Sequence, residues 1–547
     1  MAGGDTAARP PREIFDTILL LDFGSQTSHL ILRGLRSLNV FCEVLPGPTR
    51  ASELNWKPKG IIFSGGPASV KDQGAPHVDP AFFDLGVPIL GICYGCQEIA
   101  WLSGAENVAP GENQEYGHTD LNIYQDGSSD HINHLFKGLG ESMHVYMSHF
   151  DKLVRLPKDF VRIASSKNSE YAGIAHQTKP IYGIQFHPEV SHTPRGGEIL
   201  KNFAVDICKA RQHWVMSDFI QHAIERIRQQ VGDKAQVIGA VSGGVDSTVV
   251  ARLMREAIGD RFHAVLVDNG VMRLNESQQV KQTLQENLGI NLTVIDGSAR
   301  FLEALKGVSE PETKRKIIGN LFIELFEEEA VRIEKAAENT PNAGKVEFFV
   351  QGTLYPDVIE SLSFRPGSNS ATIKTHHNVG GLPARMMNGQ GLKLIEPLRE
   401  LFKDEVRGFG RQLGISEELV MRHPFPGPGI AIRIIGDVTP ERVAIVQKAD
   451  NIFISMIKEA GIYDEIAQAY AGLDTNRAVG VMGDDRVYGY IVILRAVASV
   501  NFMTAEPYEF SFDFLKQAAR RIVNEVVGVS RVTYDITSKP PGTIELE

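Results

Sequence analysis

The chain has few cysteines and no long apolar run, and each absence excludes a class of protein. Four cysteines among 547 residues are too few for a disulfide scaffold of this size, and such scarcity is typical of proteins kept in a reducing cytosol. The candidate apolar stretch at residues 490–500 is interrupted by Arg495, so we expect no membrane span. Residues 1–15 lack the apolar core of a signal peptide and are predicted to be a disordered tail. Together these features predict a cytoplasmic protein.

An excess of basic charge is also absent. The formal net charge of −11 argues against a nucleic-acid partner, because proteins that bind the phosphate backbone carry a basic surface. Small anionic ligands remain compatible with this charge, since a local group of Lys, Arg and backbone N–H groups can hold them. The hydrophobic content of 43% is that of a globular protein with real cores, and the length predicts three or four domains of about 150 residues each.

Alternating apolar runs and helical patterns predict three folded units. Residues 16–212 and 213–425 each alternate short apolar strands with amphipathic helices, a pattern typical of parallel-sheet α/β domains. Residues 426–547 change to a small α+β unit, with helices expected near 440–460 and 512–527. The predicted fold class is therefore α/β, with two parallel-sheet domains followed by an α+β domain.

One cysteine has the spacing of a nucleophile elbow. Gly91-Ile92-Cys93-Tyr94-Gly95 joins the apolar strand VPILGI to a helical pattern, and glycines on both sides permit the tight turn that lifts the middle side chain clear of the sheet. A thiolate at a helix N-terminus gains about 0.5–2 kcal/mol from the helix dipole. Lowering a free thiol from its usual pKa of about 8.5 to about 7 takes roughly 2 kcal/mol, so a cationic partner is also expected.

His187 is the candidate for that partner. If YGIQFHPEV is extended, Gln185, His187 and Glu189 face one side of the chain. Glu189 is then placed to orient the imidazole in a Cys–His–Glu relay. The backbone N–H groups of Gly65, in the turn SGGP after another strand, and of Tyr94 are the expected oxyanion hole.

The spacing of Cys93 and Cys96 leaves two other interpretations open. A CxxC sequence at a helix start can be a redox pair, although a thioredoxin-like context is then expected and Cys96 would lie one helical turn further on. A structural zinc site needs a second such pair, which the sequence does not contain. The favoured interpretation is a single working thiol, with Cys96, Cys42 and Cys208 as buried small apolar residues.

A second candidate site is a glycine turn between the strand VIGAV and the helix STVVARLM. Its residues are Ser242, Gly243, Gly244, Val245, Asp246 and Ser247. Glycines let backbone N–H groups approach an anion, and the N-terminus of the following helix favours negative charge. Neither a Walker A pattern nor GxGxxG is present. A carboxylate inside a phosphate cradle repels phosphate unless a cation lies between them, so Asp246 predicts Mg²⁺.

Two further residues extend this second site. Asp268, at the end of the next strand, either bounds a nucleotide pocket or caps a turn. Lys374 lies in a long segment, residues 363–392, that is rich in Ser, Asn and Gly. A loop of that length inside a compact domain is usually a lid or is disordered, and the lysine is expected to reach phosphates as a lid closes.

The motifs taken together resemble the glutamine-hydrolysing GMP synthetases, in which a class I glutamine amidotransferase is fused to an ATP pyrophosphatase that carries a PP-loop. The resemblance runs from about residue 16 to residue 547 and rests on DFGSQ, SGGP, GICYG, FHPEV, SGGVDS, QGTLYPDVIES, IKTHHNVGGLP, RHPFPGPG, GVMGDDR and SKPPGTIE. It implies that Cys93 hydrolyses glutamine through a glutamyl thioester, with His187 as base and Glu189 as its orienting partner.

The same resemblance implies the second half-reaction. The SGGVDS loop would bind the β,γ-phosphates of the co-substrate ATP with Mg²⁺, and O2 of xanthosine 5′-monophosphate (XMP) would attack the α-phosphorus. Ammonia would then displace AMP to give GMP. The residues that would hold XMP are Arg315, Arg433, Lys539, Ile544 and Glu545. The last unit resembles the family's dimerisation domain, so a homodimer acting on small molecules, without nucleic-acid or membrane partners, is expected.

Four places depart from the family's pattern. Thr27-Ser28-His29 stands where Tyr-Thr-Gln is common, and Phe150 stands where Gly is common in SHGD. These two departures are expected to alter the glutamine pocket but spare the relay. Cys96 replaces the usual Met, which is a packing change, and Leu546 replaces the usual Trp beside the C-terminus.

Two other functions are compatible with part of these motifs. A tRNA thiolase is also built on a PP-loop and would use Cys93 and Cys96 as its sulfur-carrying pair. It requires a basic RNA surface and leaves FHPEV unexplained. A non-catalytic sensor of glutamine or nucleotide on the same fold is the second rival, since fold alone does not decide function.

Overall fold

A computed structural model describes residues 10–124, 130–337, 345–354, 392–499, 502 and 504–547 of the chain. Lys374, predicted to act from a lid, lies outside the described residues. The described end of the predicted N-terminal tail is ordered, because Pro11–Ile14 forms a helical turn. Phe15 after it is buried against Trp214, with ring centroids 4.9 Å apart. In the described part of the chain, no helix is both long and apolar enough to cross a membrane.

The first unit is built on one mixed sheet in the described residues, in the order β2-β1-β3-β4-β9-β8-β7-β5-β6. Its strands are β1 Thr17–Asp22, β2 Phe41–Pro46, β3 Gly60–Phe63, β4 Ile89–Ile92, β5 Val108–Ile123, β6 Ser142–Leu153, β7 Phe160–Ser165, β8 Gly173–His176 and β9 Ile181–Ile184. Its α-helices are Pro11–Ile14, Ser28–Ser37, Tyr94–Leu102, Asp130–Asn133 and Gly196–Lys201, with shorter or wider turns at Ala51–Glu53, Pro80–Asp84, Ala105–Asn107 and Asn202–Ile207.

The two halves of this sheet differ in direction. Strands β2, β1, β3, β4 and β9 are parallel, and the strands beyond β9 pair antiparallel. Strands β3, β4 and β9 are buried at every residue, as expected where both faces of a parallel sheet are covered. The parallel half is the part that the sequence predicted. Because parallel strands end at the same edge, it brings the turns after β1, β3, β4 and β9 together.

The second unit is a five-stranded parallel sheet in the described residues, in the order β12-β11-β10-β13-β14. Its strands are β10 Gln236–Ala240, β11 Phe262–Asp268, β12 Leu292–Asp296, β13 Val346–Val350 and β14 Lys393–Ile395. Its helical segments are Met216–Val231, Val245–Ile258, Gly259–Arg261, Glu276–Lys281, Gln282–Asn287, Ser298–Ala304, Pro311–Ala337, Lys403–Gln412 and Glu417–Val420.

The third unit packs two long helices on a mixed sheet whose longest pairing, β16 with β17, is antiparallel, as the α+β pattern predicted. The strands are β15 Ile434–Ile435, β16 Gln468–Met482, β17 Asp485–Ala498, β18 Glu506–Pro507 and β19 Val529–Tyr534. The helical segments are Gly429–Arg433, Pro440–Glu459, Tyr463–Glu465 and Phe512–Glu525. The two long helices begin at or within one residue of the positions that the apolar spacing indicated.

Candidate active sites

Cys93 stands at the junction of β4 and the helix Tyr94–Leu102, with a backbone φ of +51°. An L-residue in this region is strained, and such strain is held in place only by the surrounding structure. The two glycines of the elbow are required by close packing. A Cβ at Gly91 would lie 2.4 Å from the carbonyl oxygen of Gly95, and a Cβ at Gly95 would lie 2.4 Å from that of Phe63.

His187 and Glu189 follow the end of β9 and reach this thiol. The imidazole lies beside Cys93 and interacts with it, and its Nδ1 lies 2.7 Å from Oε1 of Glu189, whose side chain is fully buried. Burial disfavours the charged imidazole, but the contacts with Cys93 and Glu189 outweigh it and raise the pKa of His187 to about 11. The site therefore favours the charged form of the imidazole beside Cys93.

Gly65 lies against both reacting side chains. A Cβ at this position would lie 3.1 Å from Cε1 of His187 and 3.7 Å from Cβ of Cys93, so a glycine lets the backbone of the turn after β3 approach the thiol. The N–H of Tyr94 opens a helix, where the first N–H groups have no intrahelical acceptor. Both residues whose N–H groups were predicted to form the oxyanion hole therefore lie next to Cys93.

Three groups near the thiol were not in the predicted site. Nε2 of Gln185 lies 3.6 Å from Sγ of Cys93, and the thiol is 3.7 Å from the carbonyl oxygen of Ser148. The hydroxyl of Thr27 donates to Oε1 of Glu189 at 2.6 Å. Gln185 was within reach of sequence reasoning, because it alternates with the predicted pair in YGIQFHPEV. The other two come from distant strands and loops, and no local pattern indicates them.

Cys96 faces away from the chemistry. Its side chain is fully buried in the helix after the elbow and packs on β9, where a Cβ at Gly183 would lie 2.7 Å from its sulfur. Burial raises the pKa of the Cys96 thiol. Cys42 and Cys208 are also buried and unpaired. The geometry favours one working thiol over a redox pair.

The second candidate site is the turn between β10 and the helix Val245–Ile258. The two serines close it, with the hydroxyls of Ser242 and Ser247 3.2 Å apart and the hydroxyl of Ser247 donating to the carbonyl of Gly244 at 3.1 Å. Gly243 has a φ of +74°, and a Cβ there would lie 2.2 Å from the side chain of Val280. A glycine is therefore needed for both conformation and space.

Two cations that the sequence analysis missed contact this loop. Nζ of Lys403 lies 2.5 Å from Oδ2 of Asp246, and Nη1 of Arg422 donates to the carbonyl of Gly243 at 2.8 Å. Arg422 is also paired with the buried Glu276. Besides a metal ion, the ammonium of Lys403 can therefore balance the negative charge of Asp246.

Asp246 still keeps one oxygen available. Its Oδ1 is buried and has no hydrogen-bond partner among the described residues. A hard cation such as Mg²⁺ takes carboxylate oxygens together with water and phosphate oxygens, so this orphaned atom fits a magnesium ligand. Asp268 accepts a hydrogen bond from the N–H of Gly270 at 3.0 Å and caps the turn after β11.

Three of the predicted XMP residues, Arg433, Ile544 and Glu545, lie in one cluster around the buried Arg433. Arg433 is fully buried and forms two hydrogen bonds of 2.9 Å with the carboxylate of Glu545. The guanidinium also lies 4.2 Å from the ring centroid of Tyr470, whose hydroxyl donates to the carbonyl of Ile544 at 2.7 Å. Burial opposes the charge, yet Glu545 raises the pKa of Arg433. The C-terminal segment is thereby fixed to β16.

The remaining two predicted XMP residues, Arg315 and Lys539, make other contacts. Nη2 of Arg315 donates to the backbone oxygen of Glu547 at 2.6 Å. Its neighbour Lys314 is fully buried and paired with the Glu547 side chain, a contact that sequence reasoning missed. Lys539 donates instead to the carbonyl of Phe502 at 2.7 Å, so no described contact joins it to the cluster of Arg433.

Three known families match successive parts of the chain. Residues 19–207 match the family described as glutamine amidotransferase class-I, and residues 216–322 match the family described as NAD synthase. Residues 455–546 match the GMP synthase C terminal domain. The three matches follow the order of the three folded units.

Whole-chain relatives decide the family. A glutamine-hydrolysing GMP synthase of Gibberella zeae is 66% identical over 548 residues, which cover 100% of both chains. The enzyme of the same name from Saccharomyces cerevisiae is 60% identical, again over 100% of both chains. The chain belongs to the glutamine-hydrolysing GMP synthases. It is therefore a carbon–nitrogen ligase that uses glutamine as amido donor and ATP as co-substrate, and the thiolase and sensor alternatives are not favoured.

Proposed function

We propose that the chain converts XMP, ATP and glutamine into GMP, AMP, pyrophosphate and glutamate, with Cys93, His187 and Glu189 hydrolysing glutamine. The observation that carries this assignment of residues is the contact at the elbow. A strained, buried thiol lies beside an imidazole with which it interacts and which a buried carboxylate holds at 2.7 Å. This arrangement is the one that activates a sulfur nucleophile.

The glutaminase step follows from that geometry. Sγ of Cys93 attacks the side-chain amide carbon of glutamine, and the developing oxyanion accepts hydrogen bonds from the N–H groups of Gly65 and Tyr94. His187 donates its proton to the departing nitrogen, so that the carbon–nitrogen bond breaks and ammonia leaves a glutamyl thioester. His187 then removes a proton from water, which hydrolyses the thioester to glutamate and restores the thiol.

The synthetase step uses the loop from Ser242 to Ser247. Its backbone N–H groups and the helix N-terminus after it bind the β,γ-phosphates of ATP. O2 of XMP attacks the α-phosphorus, the bond to pyrophosphate breaks, and ammonia later displaces AMP from the adenylylated purine. Oδ1 of Asp246 would hold Mg²⁺, which when bound neutralises charge on the phosphates.

The C-terminal segment and the residues around it form the proposed XMP site. The residues proposed to hold XMP are Arg315, Arg433, Lys539, Ile544 and Glu545. The carboxyl-terminal segment is anchored beside the second unit, since Arg315 and Lys314 of that unit both contact Glu547. Lys374 is proposed to contribute from outside the described residues.

A homodimer in the cytoplasm is the proposed state of the enzyme, with domains at 16–212, 213–425 and 426–547. Three large apolar side chains are exposed along β16 and β17, namely Val479 at 48%, Val481 at 73% and Tyr488 at 65%. Exposed apolar groups on adjacent strands are typical of a surface that a second subunit covers. Four unpaired, buried cysteines agree with a reducing compartment.

The decisive experiment compares two nitrogen donors. We expect GMP from XMP and ATP with either glutamine or ammonium in the natural protein. Cys93→Ala should lose glutamine-driven synthesis and keep ammonium-driven synthesis, and Cys208→Ala, which removes another buried thiol, should keep both. A glutamine-analogue adduct mapped by mass spectrometry to any residue except Cys93, or the absence of GMP with both donors, would contradict the proposal.

A further inference from the structure

The buried carboxyl group of Glu189 accepts few hydrogen bonds from the described residues. Its side chain is fully buried, and Oε1 accepts both hydrogen bonds that the described residues offer, from His187 at 2.7 Å and from Thr27 at 2.6 Å. Oε2 is buried and has no hydrogen-bond partner in the described part of the chain. A buried carboxylate needs such hydrogen bonds to remain ionised. Thr27 therefore supplies half of what Glu189 receives.

The direction of these hydrogen bonds is determined by the atoms involved. A carboxylate only accepts, so the hydroxyl proton of Thr27 is used on Glu189. The hydroxyl of Ser25, 2.9 Å from Oγ1 of Thr27, must then donate to Thr27. A chain of donors runs from Ser25 through Thr27 to Glu189, and His187 donates to the same oxygen from the other side.

The loop that carries Thr27 is fixed at its base. Oδ1 of Asp22 accepts from the N–H groups of Gly24 at 3.0 Å and Ser25 at 3.2 Å, and from the hydroxyl of Ser28 at 2.5 Å. The helix Ser28–Ser37 begins directly after Thr27. A side chain on such an anchored turn can hold a neighbour in one position, because little freedom is left for it to lose.

In the described part of the chain, no other side chain is hydrogen-bonded to this carboxylate. His29 lies close enough to sense Glu189, but burial and the charge of Arg33 lower the pKa of His29. This direction disfavours a charged imidazole that would balance the carboxylate. Thr27 also stands at a position where Tyr is common in the family.

We propose that Thr27 is a positioning residue of the glutaminase site, whose hydroxyl holds Glu189 so that His187 stays aligned with Cys93. This inference rests on the proposed function of the three relay residues. Thr27 does not touch the reacting atoms, and its effect reaches the thiol through Glu189 and His187. It follows that its loss should affect turnover more than glutamine binding.

The test uses two variants of nearly equal shape. Thr27→Val removes the hydroxyl and keeps the branched side chain, and Thr27→Ser keeps the hydroxyl. We expect Thr27→Val to lower glutamine-driven kcat roughly tenfold, the effect of losing one hydrogen bond to a charge. KM for glutamine should change less than about twofold. Thr27→Ser should retain most of the natural rate, and ammonium-driven synthesis should be unchanged in both variants.

A second readout separates positioning from simple packing. The rate at which iodoacetamide alkylates Cys93 is measured as a function of pH. The pH range in which alkylation is fast should be narrower in Thr27→Val than in the natural protein or in Thr27→Ser. An unchanged kcat and pH profile in Thr27→Val would overturn the inference. Equal losses in both variants, or a parallel loss of ammonium-driven synthesis, would overturn it as well. If the natural protein itself showed no Cys93-dependent glutaminase, the proposed function would fail instead.

Discussion

The two candidate sites of this chain differ in how complete they are without substrate. At the glutaminase site Cys93 and His187 are at most 8% exposed, and the thiol, imidazole and carboxylate already contact one another. At the phosphate loop the serine pair bond mainly to the loop itself, and Ser242 is exposed. Attack on an amide needs a desolvated nucleophile with its partners already in place. A nucleotide site can instead remain open, because the ligand brings its own charge.

One helix contacts both regions. The first turn of Lys403–Gln412 pairs Lys403 with Asp246 of the phosphate loop. The next residues, Asp404 and Glu405, pair at 2.9 and 2.7 Å with Arg33 and Arg36 on the helix Ser28–Ser37 of the first unit. The first turn of this helix therefore links the phosphate loop to the unit that carries the glutaminase site through ion pairs.

The largest effect is expected from a substitution at the phosphate loop. Lys403→Met leaves Asp246 without its cation beside the phosphates, and we expect glutamine-driven and ammonium-driven synthesis to fall together by roughly 10- to 100-fold. Steady-state rates with both donors measure this. Lys458→Met is the matched control, since Lys458 pairs with Glu418 at 3.0 Å where both side chains are exposed, and it should have no effect. A loss confined to glutamine would contradict the assignment.

An intermediate effect is expected on the pKa of His187 at the glutaminase site. We expect His187 in the natural protein to titrate near pH 11, because Cys93 and Glu189 raise its pKa against the effect of burial. Cys93→Ala removes one of the two partners and should move the titration downward by at least about one unit. Histidine-selective ¹³C NMR against pH measures both values, with Cys208→Ala as control.

The sign of the linked stability follows from the same shift. The folded-state pKa of about 11 lies above the ordinary 6.5, so the stability that this group contributes is fully present below about pH 6.5 and is lost as pH rises through about 11. An unaltered titration in Cys93→Ala would mean that the thiol and the imidazole do not interact.

The smallest expected effect separates the two neighbouring cysteines. Cys96→Ala removes a fully buried sulfur that packs on Gly183. We expect glutamine-driven kcat to stay within about twofold and the free energy of unfolding to fall by about 1 kcal/mol, the cost of a small cavity. Denaturant titration and steady-state assays measure these quantities. Complete loss of activity would support the sulfur-carrying pair that we do not favour.

Local spacing was enough to predict much of both sites. The glycines of GICYG and SGGVDS mark turns where a Cβ has no room, and the structure gives the steric reason at Gly91, Gly95 and Gly243. Alternation in YGIQFHPEV placed His187 and Glu189 on one side of the chain. The antiparallel strands β5 to β8 were not predicted, because their pairing depends on contacts between residues far apart in the chain.

Residues that act on groups far away in the sequence could not be found in the same way. Lys403 lies 157 positions from Asp246, and Thr27 lies 162 positions from Glu189. Neither has a local pattern that distinguishes it from a surface lysine or a turn threonine. The C-terminal cluster was predicted only through family resemblance, and the buried pair of Lys314 and Glu547 was missed.

By itself, the sequence determined the order of the three units, the two turns that carry chemistry and the family to which the chain belongs. These features depend on neighbouring residues, because hydrophobic period and glycine spacing act over a few positions. Only the tertiary structure decided which distant groups complete each site: Thr27 on Glu189, Lys403 on Asp246 and Glu545 on Arg433. Such partners are set by how strands and helices pack, and packing brings together atoms that no local pattern relates.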